Sequence, residues 1–96
     1  IVLTVDAERP LIYTPAGQQD LDSFFSVMRR YLIERAKSQG FTVVDLRPAM
    51  IKQFESDGKA FEYSDDNHWN ANGHRLMANE LYQVPVIKAI CQKSIP

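Results

Sequence analysis

The chain has little cysteine, no long apolar run and no excess of either charge. Cys91 is the single cysteine in 96 residues, so an internal disulfide is excluded, and a lone cysteine has no partner for a zinc cluster. No apolar stretch approaches the ~20 residues that a membrane helix needs. Eleven Lys and Arg stand against twelve Asp and Glu, for a formal net charge of −1. That balance leaves no electrostatic footprint for nucleic acid. An initiating Met is missing as well, and the opening IVLTVD lacks the charged n-region of an intact signal peptide. What is present is ordinary for a globular domain: 45% hydrophobic and 24% charged residues, which excludes a disordered tail, a collagen-like fibre and a coiled coil. The length allows one domain at most, burying only about 60–65% of its unfolded surface. Because Ile1 to Val5 already reads as a buried strand, residues 1–96 are expected to be a partial domain.

Read along the chain, Ile1–Val5 is apolar at four of five positions and β-branched, the signature of a strand covered on both faces in a parallel sheet. Ala7–Gln19 carries Pro10, Pro15 and Gly17 and reads as a loop, with Leu11-Ile12-Tyr13 as a lid or a short strand. Leu21–Gln39 predicts a helix. Leu21, Phe24, Phe25, Met28, Tyr31, Leu32 and Ala36 recur on one face, Asp20 stands at the N-cap and Gly40 at the stop. Phe41–Leu46 is a second strand. Pro48 opens a short helix that buries Ala49, Met50, Ile51 and Phe54 and ends at Gly58. Lys59–Tyr63 is extended or irregular, Ser64–Trp69 is a polar loop, and Asn70 caps a helix from Ala71 to Tyr82 that buries Leu76, Met77 and Leu81. Val86–Cys91 is a last helical turn or a packed tail. The order gives a β-α-β unit with parallel strands and trailing helices. Two strands do not make a sheet that helices can cover on both faces, so further strands are expected before Ile1.

The densest chemistry lies in Ser64-Asp65-Asp66-Asn67-His68-Trp69-Asn70, followed by Gly73-His74. A histidine acting as general base needs an acid that accepts its Nδ1 proton and stabilises the imidazolium. Asp66 and Asp65 precede His68 by two and three residues, and a carboxylate at either offset reaches back to the ring in a tight turn. Gly73 removes a Cβ one turn into the helix, where a neighbouring element can approach closely.

The segment Asp66-Asn67-His68-Trp69-Asn70-Ala71-Asn72-Gly73-His74 resembles the C-terminal catalytic block of the SGNH (GDSL-type) hydrolase superfamily. There an Asp and a His stand two or three residues apart before the last helix. The Asp-x-His-Trp variant is similar to enzymes that move acetyl groups on and off polysaccharides. The Val-Asp-Leu strand end and the Phe-x-Tyr stretch before the aspartates agree with that likeness, whose specific part covers nine residues. The resemblance implies an α/β, three-layer flavodoxin-like fold of which this chain is the C-terminal half. It implies His68 as general base, and Asp66 or Asp65 as its orienter. The broad family spacing selects Asp65, whereas the Trp-containing variant, which Trp69 and Asn70 match, selects Asp66. Trp69 either lines a substrate pocket or anchors the core. The implied substrate is an acyl ester, acetyl or short-chain, on a carbohydrate or other alcohol, and no metal or organic cofactor is called for.

The family's nucleophile motif, Gly-Asp-Ser, and its Gly-x-Asn oxyanion motif occur nowhere in the chain. Ser23 follows Asp22 but lies inside the predicted helix, without a strand-turn before it. The nucleophile is therefore expected in a missing N-terminal part of the same domain, and these residues alone are expected to be inactive. A degenerate, non-catalytic module that binds glycan or protein is the alternative from another class. A metal site built from Asp65, Asp66, His68 and His74 is the rival chemistry, although the histidines stand six apart and not at i, i+4 on a helix face. His74 reads as structural. Asp6 ends the first strand where ligands of open α/β sheets gather, yet it and Arg9-Pro10 read as plain loop.

Overall fold

The computed structural model of the chain describes residues 1–93, so the last three residues of the expected 1–96 domain lie outside it. The class is α/β. Strand β1 (Val2–Val5) pairs in parallel with β2 (Thr42–Asp45), in the register Val2 to Thr42 through Val5 to Asp45. Between them run the short helices α1 (Arg9–Ile12) and α2 (Pro15–Gln19) and the crossover helix α3 (Phe24–Ser38). Then come α4 (Arg47–Asp57), an antiparallel hairpin of β3 (Glu62–Tyr63) and β4 (Asp66–Trp69), and helices α5 (Ala71–Tyr82) and α6 (Pro85–Lys93). None of the described helices is long and apolar enough to cross a membrane.

The core gathers where α1, α4, α5 and the hairpin meet the end of β2. Ile12, Leu46, Met50 and Phe61 are fully enclosed, with Val44, Leu76 and Val84 around them. Helix α4 ends as its sequence predicts: Gly58 takes φ 66° and donates its N–H to the Phe54 carbonyl, a left-handed cap that glycine adopts without steric cost. Asn70 caps α5, its Oδ1 accepting the Gly73 N–H at 3.0 Å.

Several expectations are corrected. The segment 7–19 is not a loop but two short helices, because Pro10 and Pro15 sit in first turns, where a proline's missing N–H has no partner to lose. Ile12 is thereby driven into the core. Helix α3 starts at Phe24 rather than Leu21, and its cap is Ser23, whose Oγ accepts the Ser26 N–H at 3.2 Å; Asp20 instead caps α2.

The buried face of α3 also differs. Ser26, Arg29, Ile33 and Ala36 turn inward, while Leu21, Phe24, Phe25, Met28, Tyr31 and Leu32 are exposed. The physical cause is Arg29. Its side chain is 10% exposed and pairs with Glu8 at 3.8 Å and with Asp45 at the end of β2. Its Nε donates to the Asp6 carbonyl at 2.9 Å. These bonds rotate the helix so that its apolar stripe faces away from the two-stranded sheet. Finally, Ser64–Trp69 is not a plain loop: Asp66–Trp69 is a strand, and Ser64-Asp65 is the two-residue turn that joins it to β3.

Candidate active site

Side chains on a strand alternate between its two faces, so residues two apart project to the same side. Asp66 and His68 therefore stand side by side on β4. Asp66 Oδ1 accepts the His68 backbone N–H at 2.8 Å and is also in hydrogen-bond contact with His68 Nδ1. Those two donors hold the Asp66 carboxyl below the usual carboxylate range, the backbone N–H contributing most. With Nδ1 turned to the carboxylate, Nε2 is left without a hydrogen-bond partner among the described residues. The pair is open, His68 being 86% exposed and Asp66 50%. Asp65 sits in the turn, and its side chain bonds no described residue.

Trp69 is tied to the far strand. Its indole Nε1–H donates to Asp6 Oδ2 at 2.9 Å, directly after β1, and its ring meets the His74 ring edge-on at 5.6 Å. Gly73 makes this possible, since a Cβ there would stand 2.6 Å from the Phe61 carbonyl oxygen and 2.9 Å from Trp69 Cβ. The close approach expected of Gly73 is thus real. Neither Asp6 nor Arg9 is plain loop: Asp6 is a fixed acceptor and Arg9, at the start of α1, a fixed donor. The Arg9 guanidinium contacts Asp6 at 3.3 Å and Glu62 Oε2 at 3.4 Å, and donates to the Asn67 carbonyl at 2.5 Å. Tyr13 Oη donates to the same Glu62 Oε2 at 2.5 Å and accepts the Phe61 N–H at 3.1 Å. Burial, assisted by the neighbouring Glu62 carboxylate, pushes the Tyr13 hydroxyl up to about 12.

Arg9, Glu62 and Tyr13 were invisible as a group, since 53 and 49 positions separate the bonded pairs. The only signal was a cation placed just after a strand's carboxyl end. A cavity of about 1020 Å³ opens beside this cluster. Asp6, Arg9, Glu62 and Asn67 line one side, and Phe25 and Met28 of α3 the other. Ser23 serves as a helix cap, and its Oγ also donates to Ser26 Oγ at 2.9 Å. Asp65, Asp66, His68 and His74 do not converge, and among the described residues no three His, Cys, Asp or Glu side chains are grouped to hold a metal ion.

Compared with known proteins, the chain matches no family model, no curated protein and no solved structure.

Proposed function

We propose that this chain supplies the His–Asp part of a Ser-His-Asp relay for hydrolysis or transfer of short-chain acyl esters, acetyl esters above all, on a carbohydrate or other alcohol. The observation that carries the reading is the Asp66 carboxylate set on His68 Nδ1, with Nε2 left free. The setting is the C-terminal half of a three-layer, flavodoxin-like fold of SGNH type. The parallel β1–β2 pair supports that setting, as does the exposed apolar stripe of α3, which suits a helix awaiting a covering layer.

In this scheme His68 Nε2 takes the proton of a serine hydroxyl as the serine Oγ attacks the acyl carbonyl. It then returns that proton to the leaving alcohol, and Asp66 stabilises the imidazolium between the two steps. The serine comes from outside these 96 residues, which contain no Gly-Asp-Ser.

The test uses the complete polypeptide that carries this chain, with p-nitrophenyl acetate as acyl donor. Asp66→Asn is expected to lower kcat on the order of 10⁴-fold, as when a triad aspartate is replaced, while Asp65→Asn leaves it within a few-fold. Equal small losses from both variants contradict the relay. So does a complete sequence without a strand-borne Gly-Asp-Ser, which favours a binding module for glycan or protein.

A further inference from the structure

Hairpins of this size are marginal on their own; β3 has two residues and β4 four. The hairpin that carries the dyad is therefore braced by side chains from outside it: Asn70 Nδ2–H donates to the Glu62 carbonyl at 3.0 Å, and Arg9 reaches the stretch of β4 between the two dyad residues. Arg9, 15% exposed, donates Nη2–H to the carbonyl of Asn67, the residue between Asp66 and His68. Its Nη1–H points to Glu62 on the partner strand β3, and its Nε lies against Asp6 after β1. The other end of β4 returns to the same carboxylate, because Trp69 Nε1–H donates to Asp6 Oδ2. Glu62 is braced in turn by the Tyr13 hydroxyl. Both anchors of β4 thus converge on the Arg9–Asp6 pair at the carboxyl end of the parallel sheet. A planar guanidinium holds two hydrogen-bond acceptors and an ion-pair partner in fixed directions, which the flexible ammonium of lysine does not reproduce.

We propose that Arg9 is the positioning residue of the Asp66–His68 pair, locking the backbone at Asn67 to the end of β1 so that carboxylate and imidazole stay engaged. Its part in acyl transfer rests on the function proposed above; the clamp itself does not.

The two are tested separately. On the purified chain, NMR follows the Asp66 carboxyl titration and the indole N–H resonance of Trp69, the only tryptophan. Arg9→Met is expected to move the Asp66 midpoint up toward the ordinary carboxylate value and to shift the indole signal. Arg9→Lys is expected to do the same despite keeping the charge. If Arg9→Met leaves both signals unchanged, or if Arg9→Lys restores them, the clamp is overturned. Should Arg9→Met fail to fold, Glu62→Gln removes one anchor and is expected to move Asp66 in the same direction by less; no movement there also overturns the clamp. In the complete polypeptide, Arg9→Met is expected to lower kcat on the order of 10²-fold through misplacement, with KM little changed. Acyl transfer that survives His68→Ala refutes the relay while leaving the NMR result standing, so the two failures are told apart.

Discussion

Asp66 shows how much one backbone N–H does for an exposed carboxylate. Its largest stabilising partner is the His68 amide, with the ring second. His68→Ala is therefore expected to return the Asp66 midpoint only part of the way to its ordinary value, as read by carboxyl ¹³C shifts; full recovery would assign the effect to the ring alone. Since the folded value lies below the unfolded one, the contribution to stability is present above the unfolded value and is lost as pH falls through the folded one. Tyr13 has the opposite sign. Its hydroxyl is raised from 10.0 to about 12, so its contribution is complete below pH 10 and disappears as pH rises through about 12. Tyr13→Phe also leaves the Phe61 N–H without its acceptor, costing about 1–3 kcal/mol. In urea unfolding the stability gap between wild type and Tyr13→Phe is expected to be constant below pH 10 and to narrow above it. A gap that stays constant to pH 12 contradicts the buried, hydrogen-bonded hydroxyl.

At the scale of elements, the strand β4 was the least legible and the most consequential. Asp-Asp-Asn-His reads as turn-formers because nothing apolar alternates in it; the strand is held by backbone pairing to β3 and by Arg9 and Asp6. Once it is a strand, the period of two explains why Asp66 rather than Asp65 faces His68. The caps at Asn70 and Gly58 were legible because each depends on a local contact or dihedral angle. The inward face of α3 was not, because apolar periodicity carries no information on the ion pairs that Arg29 makes with Glu8 and Asp45. Pro10 and Pro15 misled for a related reason: a proline breaks a helix interior but suits its first turn. Gly73 is the tightest junction between elements, where α5 passes the hairpin. Gly73→Ala forces a Cβ against the Phe61 carbonyl and Trp69 and is expected to destabilise the protein by about 1–3 kcal/mol, measured by urea unfolding. Unchanged stability would mean that α5 is free to move away from the hairpin.

Across the whole molecule, the enclosed core and the exposed apolar surface lie on different sides. Ile12, Leu46, Met50 and Phe61 hold α1, α4 and the hairpin together, whereas Phe24 and Phe25 of α3 are 70% and 69% exposed. The same α3 face walls the cavity that Arg9, Glu62 and Asn67 line from the hairpin side. Asn67, which alternates with Asp66 and His68 along β4, lines that cavity, so the cavity opens on the face of the strand opposite the dyad. The α/β class and the parallel strand pair were legible from two β-branched runs separated by one long helix; the network joining residues 6, 9, 13, 62 and 69 arises only in three dimensions. The most direct measurement is the turnover of p-nitrophenyl acetate by the complete polypeptide, with and without the imidazole. His68→Ala is expected to lower kcat on the order of 10³–10⁶-fold, while the isolated chain shows no turnover above background. Unchanged kcat in His68→Ala, or turnover by the isolated chain, would contradict the account.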